Sequence, residues 1–266
     1  MRLYDNSIFV TGSNSKLLSK EFTKEFSGRY VSFRIRPFVY KEIIDYSKEL
    51  NIDYNISDYL ICGGFPKRFE FEKMDDQIKY LTEINNYVLK SNSRIFSSRS
   101  IENYLKNEHV EGSINTIIKY LNYLEEAYII DRIKPYSTKT KSELSYYFKI
   151  YNSDVCFNSI RCMDNRYDLS HNLENIIYNE LLYMGYNINE KKIDFLAYKN
   201  NRKYYIQVAY TVVDDKIYER EFNAFASLDN SAKKVLITND DIDYSTSTVI
   251  HLKLKDFLLL DSLENL

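Results

Sequence analysis

The chain has 266 residues, 44% of them hydrophobic, so it can bury a sizeable core, which argues against wholesale disorder. No apolar run nears the ~18 residues that a membrane span needs and no signal peptide opens the sequence; the three cysteines, Cys62, Cys156 and Cys162, lack metal spacing, so a cytoplasmic protein with reduced thiols is expected. The net charge of −2 excludes a global basic field, and any nucleic-acid contact must come from a local patch.

Taken in chain order, the apolar run Ile8-Phe9-Val10, the polar turn from Thr11 to Ser15 and the helically spaced Leu17, Leu18 and Phe22 read as buried strand, turn and helix. A second strand is expected over residues 29–36, ending at Pro37, and a helix over 38–50. Gly63, Gly64 and Pro66 predict a sharp turn between helices, and Ile78, Leu81, Ile84, Tyr87 and Val88 keep helical spacing over 75–89. Ser97 and Ser98 then open a short helical segment with Ile101, Tyr104 and Leu105 on one face. A second one follows, capped by Ser113, with Ile114, Ile117, Ile118, Leu121 and Leu124 as its buried stripe.

Two such helices across a short turn, followed by strands, form the winged helix-turn-helix pattern, whose second helix lies in the major groove of DNA. On that reading Ser113, Asn115, Thr116 and Lys119 face duplex DNA. Residues 132–149 hold five basic residues and one acidic one, a local net charge of +4 that includes Lys134, Lys139 and Lys141. Such modules also serve as protein–protein or interdomain contacts. Lysine carries reduced information here, because 26 Tyr, no Trp and only 3 Pro indicate an AT-rich coding bias.

Residues 145–156 read as strand. The order beyond is helix over 173–184, two strands, helix over 215–228, two strands and a last helix, so a mixed, multidomain α/β fold is expected. Glu174 lies on the first of these helices, Asp194 on the following strand and Gln207 on the next one. Restriction-endonuclease-like nucleases use that order, with Glu-x-Lys on the last strand: the carboxylates hold Mg²⁺ and the lysine assists the attacking water. Here Gln207-Val208-Ala209 replaces that third element, and Lys191 and Lys192 add cations beside it. The reading is a degenerate site holding no metal, with Glu174, Asp194 and Gln207 converging on one pocket.

The stretches IFVTGSNSKLLSKE, SGRYVSFRIRPFVYKE, YLICGGFPKRFE, SINTIIKYLNYLEEAYIIDRI, LENIIYNELLYMGY, KIDFLAY, YYIQVAY and EREF together resemble prokaryotic AAA-type ATPases with a C-terminal restriction-endonuclease-like domain of unknown function. The resemblance implies that Ser13 and Asn14 tip a γ-phosphate-sensing strand, that Arg29 is a trans-acting arginine, and that Gly63, Gly64 and Pro66 form the hinge between nucleotide domain and helical lid. It divides the chain into a partial nucleotide domain (1–60), a helical lid or linker (61–93), a winged helix (94–144) and a nuclease-like domain (145–266). The family's phosphate loop ends Gly-Lys-Thr, and no Gly-Lys-Ser or Gly-Lys-Thr occurs in this sequence. The expectation is a non-catalytic, DNA-associated or protein-binding remnant without a cofactor, arising from a split gene, a fragment or a decayed paralogue. A protein partner or a second copy would cover its incomplete N-terminal sheet. The alternative is a metal-dependent DNA nuclease, or an ATPase half that a partner completes with ATP and Mg²⁺.

Overall fold

The computed structural model describes residues 9–11, 31, 33–51, 53–88, 96–97, 114–133, 147–159, 168–189, 193–229 and 231–266. Their fold is mixed α/β, as the sequence predicts, with one three-stranded and one five-stranded sheet.

Helix α1 (Tyr40–Leu50) starts where the Glu42 carboxylate accepts the Val39 N–H at 3.1 Å, and it ends at Asn51, whose φ of 55° is a left-handed conformation that Asn tolerates. Helix α2 (Ile56–Cys62) begins under the Asn55 side chain, which accepts the Ser57 N–H at 2.9 Å. Gly63 then takes φ 67° and ψ −156°, a backbone open to glycine alone. A 3-10 turn (Pro66–Glu70) and helix α3 (Met74–Val88) follow. The glycine turn is tied on every side. The Gly64 N–H donates to Asp154 Oδ2 at 2.7 Å, and its carbonyl accepts the Phe38 N–H at 2.9 Å. The Gly63 carbonyl accepts from Arg68 Nε at 3.1 Å and Nη2 at 2.8 Å. Arg68 is wholly buried, with its guanidinium 4.3 Å from the Phe69 ring centre. Burial lowers its pKa to about 10, which leaves it charged at neutral pH. Gly63 and Gly64 of the expected hinge are thus clasped by Phe38, Arg68 and Asp154.

Residues 31 and 33–36 do not form the expected strand, and Phe9 and Val10 are not the buried strand expected near the start: all are irregular, and Phe9, Val31, Phe33 and Ile35 are 76–89% exposed. A strand needs a neighbour for its backbone N–H and C=O groups, and no described strand lies beside this segment. Arg34 and Arg36 instead reach Asp131, at 2.8 and 3.6 Å.

Strands β1 (Phe96–Ser97), β2 (Ile130–Ile133) and β3 (Tyr147–Asn152) form an antiparallel sheet in the order β1-β3-β2, with helix α4 (Ile114–Glu126) packing Leu121 against Ile130 and Ile150. The pairing of β2 with β3 crosses the boundary expected at 145, so 147–152 belong to the sheet of the preceding segment. Side chains alternate along β3: Ile150 faces α4, whereas Tyr151 stacks on Tyr178 with centroids 4.4 Å apart. A four-residue helix, α5 (Cys156–Ser159), closes this stretch.

Helix α6 (Leu169–Tyr183) is capped by Asp168, which accepts the His171 N–H at 3.0 Å. It is buried almost all round, since Leu173, Ile176, Ile177 and Leu181 face the core and Asn175 accepts the Asn152 N–H (2.9 Å) and donates to its carbonyl (2.8 Å). The five-stranded sheet runs β4 (Asn187–Asn189), β5 (Phe195–Lys199), β6 (Arg202–Ala209), β7 (Lys233–Thr238), β8 (Val249–Lys253), antiparallel up to β6 and parallel beyond. Asn200 and Asn201, at φ 48° and 65°, make the tight β5–β6 hairpin, and helix α7 (Asp215–Ala226) supplies the crossover from β6 to β7. Phe195, Ala197, Tyr204, Ile206, Val235 and Ile237 pack towards α6 and the short helix α8 (Leu254–Leu258), and Leu196, Tyr205 and Leu236 pack towards α7. Both faces are covered, which explains the near-continuous apolar run in β7. Each large aliphatic side chain so buried contributes about 1.5–3 kcal/mol.

Candidate functional site

The helix α6, strand β3 and the β5–β6 ladder meet around a set of carboxylates. Because β5 and β6 pair with Phe195 opposite Ile206, Asp194 falls opposite Gln207 at the carboxyl end of β6. Asp194 Oδ2 accepts the Val208 N–H at 2.9 Å, and the Asp194 N–H donates to Gln207 Oε1 at 3.3 Å. Gln207 Nε2 donates to Glu221 Oε2 on α7 at 2.6 Å. Both ends of the Gln207 amide are therefore engaged. Arg220 holds the other Glu221 oxygen at 2.5 Å.

Glu174 enters from α6. Tyr151 donates its phenol proton to Glu174 Oε1 at 2.5 Å, and Lys149, two residues earlier on the same face of β3, reaches that oxygen at 2.7 Å. The same ammonium lies 3.6 Å from Asp194 Oδ1. The structure thus brings Glu174, Asp194 and Gln207 together, with Lys149 between the two carboxylates. Burial first, and the Glu174 charge second, push the Asp194 carboxyl up to about 7; the Lys149 charge and the Val208 N–H pull the other way. Among the described residues, no group of three or more His, Cys, Asp or Glu is arranged to hold a metal ion. Ala209, where a nuclease would carry its lysine, is buried in the apolar layer beneath α7. On β6 an amide, Gln207, stands where a third carboxylate would.

Sequence reasoning overlooked Lys149, Tyr151 and Glu221. Glu221 was legible: on α7 it falls midway between Ile217 and Phe225, at i and i+4 steps of the apolar stripe, where a carboxylate is out of place unless it has a partner. Lys149 was counted as part of a basic patch. Arg132 and Lys149, two of the five cations in 132–149, are bound to carboxylates, Arg132 to Glu125 with a further bond to Asn122 at 2.6 Å. Lys119 is exposed on α4, 5.8 Å from the Tyr123 ring centre. Asn115 and Thr116 lie in α4, their side chains outside the description. Ser13, Asn14, Arg29, Ser113, Lys134, Lys139, Lys141, Cys162, Lys191 and Lys192 all lie outside the described residues.

A family model described as an AAA domain matches residues 1–44, and one described as a domain of unknown function (DUF8612) matches residues 81–159. Residues 1–44 are similar to an AAA domain. An uncharacterized protein of Haemophilus influenzae is 28% identical over 88% of this chain, and an uncharacterized protein of Methanocaldococcus jannaschii is 29% identical over 90% of it. The chain spans about two thirds of the length of these curated relatives, 66% and 65% respectively. No solved structure matches the chain. Lys149 and Tyr151 belong to the stretch similar to DUF8612, whereas Glu174, Asp194, Gln207 and Glu221 lie beyond it. No helix among the described residues is long and apolar enough to cross a membrane.

Proposed function

We propose that this chain is a non-catalytic module related to AAA-type ATPases, a cytoplasmic DNA-associated or protein-binding unit with a winged helix in its middle and a restriction-endonuclease-like domain at its carboxyl end. The order of the three-stranded sheet, β1-β3-β2 with α4 between β1 and β2, supports the winged helix. The succession α6, β4, β5, β6, α7, β7, with acids where α6 and the β5–β6 ladder meet, supports the nuclease-like scaffold. The observation that carries the non-catalytic reading is the Gln207 amide, committed at both ends to Asp194 and Glu221, above a buried Ala209. A neutral amide is a poor ligand for a hard cation, and alanine cannot orient or deprotonate water. The alternative, a metal-dependent DNA nuclease, draws on Glu221, which brings a further carboxylate next to Gln207.

The expected behaviour is retention of duplex DNA without chemistry. A labelled duplex incubated with the chain and Mg²⁺ or Mn²⁺ should shift in a gel and stay at full length; a shortened product overturns the reading. ATP should not turn over, because the sequence holds no Gly-Lys-Ser or Gly-Lys-Thr to cradle phosphates. Turnover above a buffer blank that Arg29→Ala abolishes would contradict this.

DNA binding should be weak, indifferent to sequence and steeply salt-dependent, with each phosphate contact adding ~0.9 to the log–log slope. Lys139→Glu with Lys141→Glu should weaken it evenly across sequences and flatten that slope. Unchanged binding in the double variant would assign the middle module to protein contacts.

A further inference from the structure

Glu174 and Asp194 come from separate elements, yet a single ammonium reaches both, at 2.7 and 3.6 Å. The side chains of Lys149, Glu174 and Asp194 are 14%, 20% and 17% exposed, so water screens their charges only partly. Two carboxylates held this close repel unless a cation lies between them. The cation is not from the same unit: β3 delivers it from the three-stranded sheet, and Tyr151, anchored by stacking on Tyr178, fixes the strand that carries it. A divalent ion needs oxygen ligands at about 2.0–2.6 Å, and an ammonium already 2.7 Å from Glu174 Oε1 fills the same space. Ammonium and metal therefore exclude one another.

Resting on the degenerate-site reading above, we infer that Lys149 is the resident cation of the carboxylate site, supplied by the neighbouring sheet in place of a divalent metal, and that removing its charge opens a divalent-cation site on Glu174 and Asp194. Without Lys149 the two carboxylates lose the cation between them, and a divalent ion with its water can take that place. Lys149→Met keeps the length of the stem and removes the ammonium.

The test is Mn²⁺ titration of the full chain, followed by calorimetry and by the paramagnetic loss of backbone amide signals at Asp194 and Val208. The wild type should show no saturable binding. Lys149→Met should bind one Mn²⁺ per chain, with affinity raised by about tenfold or more. Adding Asp194→Asn should abolish it. Saturable binding by the wild type that Asp194→Asn removes would overturn the degenerate-site reading itself. A folded Lys149→Met chain that binds no Mn²⁺ would overturn only the inference about Lys149. Lys149→Gln, which keeps a hydrogen-bond donor for Glu174, serves if the methionine variant does not fold, with the same two outcomes. In the wild type, the Lys149 ammonium proton signal should persist at neutral pH and ignore millimolar Mn²⁺; its loss on adding Mn²⁺ would contradict the assignment.

Discussion

Gly64→Ala is expected to abolish folding of the chain or cost about 4 kcal/mol or more, the range of severe steric substitutions. A Cβ at this position would stand 1.9 Å from the Phe38 carbonyl oxygen and 2.8 Å from its carbon. Both are backbone atoms, and Phe38 cannot retreat without losing the bond from its own N–H to the Gly64 carbonyl. The displacement would also pull the Gly64 N–H from the buried Asp154 carboxylate, leaving its Oδ2 without that donor while Oδ1 keeps the Cys156 N–H. Gly63→Ala meets a side chain instead, with its Cβ 1.7 Å from Asp154 Oδ1, at a φ of 67° that adds backbone strain. Thermal unfolding followed by circular dichroism checks both. A Gly64→Ala chain within a few degrees of the wild type would show that the clasp of residues 38, 63–64, 68 and 154 is loose enough to act as the hinge that the resemblance implies.

Glu180→Gln should raise stability at alkaline pH and leave it almost unchanged near pH 4.5. Glu180 is buried on α6, where its carboxylate accepts the Tyr40 N–H at 3.1 Å and the Tyr59 hydroxyl at 3.4 Å. Burial outweighs these two bonds and pushes its pKa from 4.5 up to about 8. Between these two values the folded chain binds a proton that the unfolded chain has released. Stability therefore falls as pH rises through that window, by up to about 1.4 kcal/mol per pH unit, and the loss levels off above the folded pKa. Below the lower value both states are protonated and the residue contributes no slope. Asp194, pushed up to about 7, works in the same direction in both chains and cancels in the comparison. Glutamine keeps an acceptor for Tyr40 and Tyr59 and carries no charge. Urea titrations should show the variant gaining about 4–5 kcal/mol over the wild type at pH 9. An equal difference at pH 4.5 and pH 9 would show that folding does not raise the Glu180 pKa.

The carboxyl-terminal sheet was largely legible because its elements are covered on both sides or amphipathic. KKVLIT is β7 to the residue, and the two-Asn turn could only be a hairpin. Segments whose neighbours decide their state were not legible. The alternation Val31-Ser32-Phe33-Arg34-Ile35-Arg36 reads as a strand, yet no described strand pairs with it, and its arginines are spent on Asp131. Strand β4 is three residues long and polar at both ends, too short for periodicity to register. At the carboxylate site, Glu174, Asp194 and Gln207 could be read from their order on a helix and two strands. Lys149 could not, because its role depends on which face of β3 packs against α6. In the sequence it looks like one more surface lysine in a basic stretch.

The nicking of supercoiled plasmid under excess protein, with Mg²⁺ or Mn²⁺, tests the central claim most directly, since one cut in a whole plasmid changes its mobility. Wild type, Asp194→Ala and a no-protein control should be indistinguishable over hours. Nicking by the wild type that Asp194→Ala stops would contradict the account and make the carboxylate site a working nuclease.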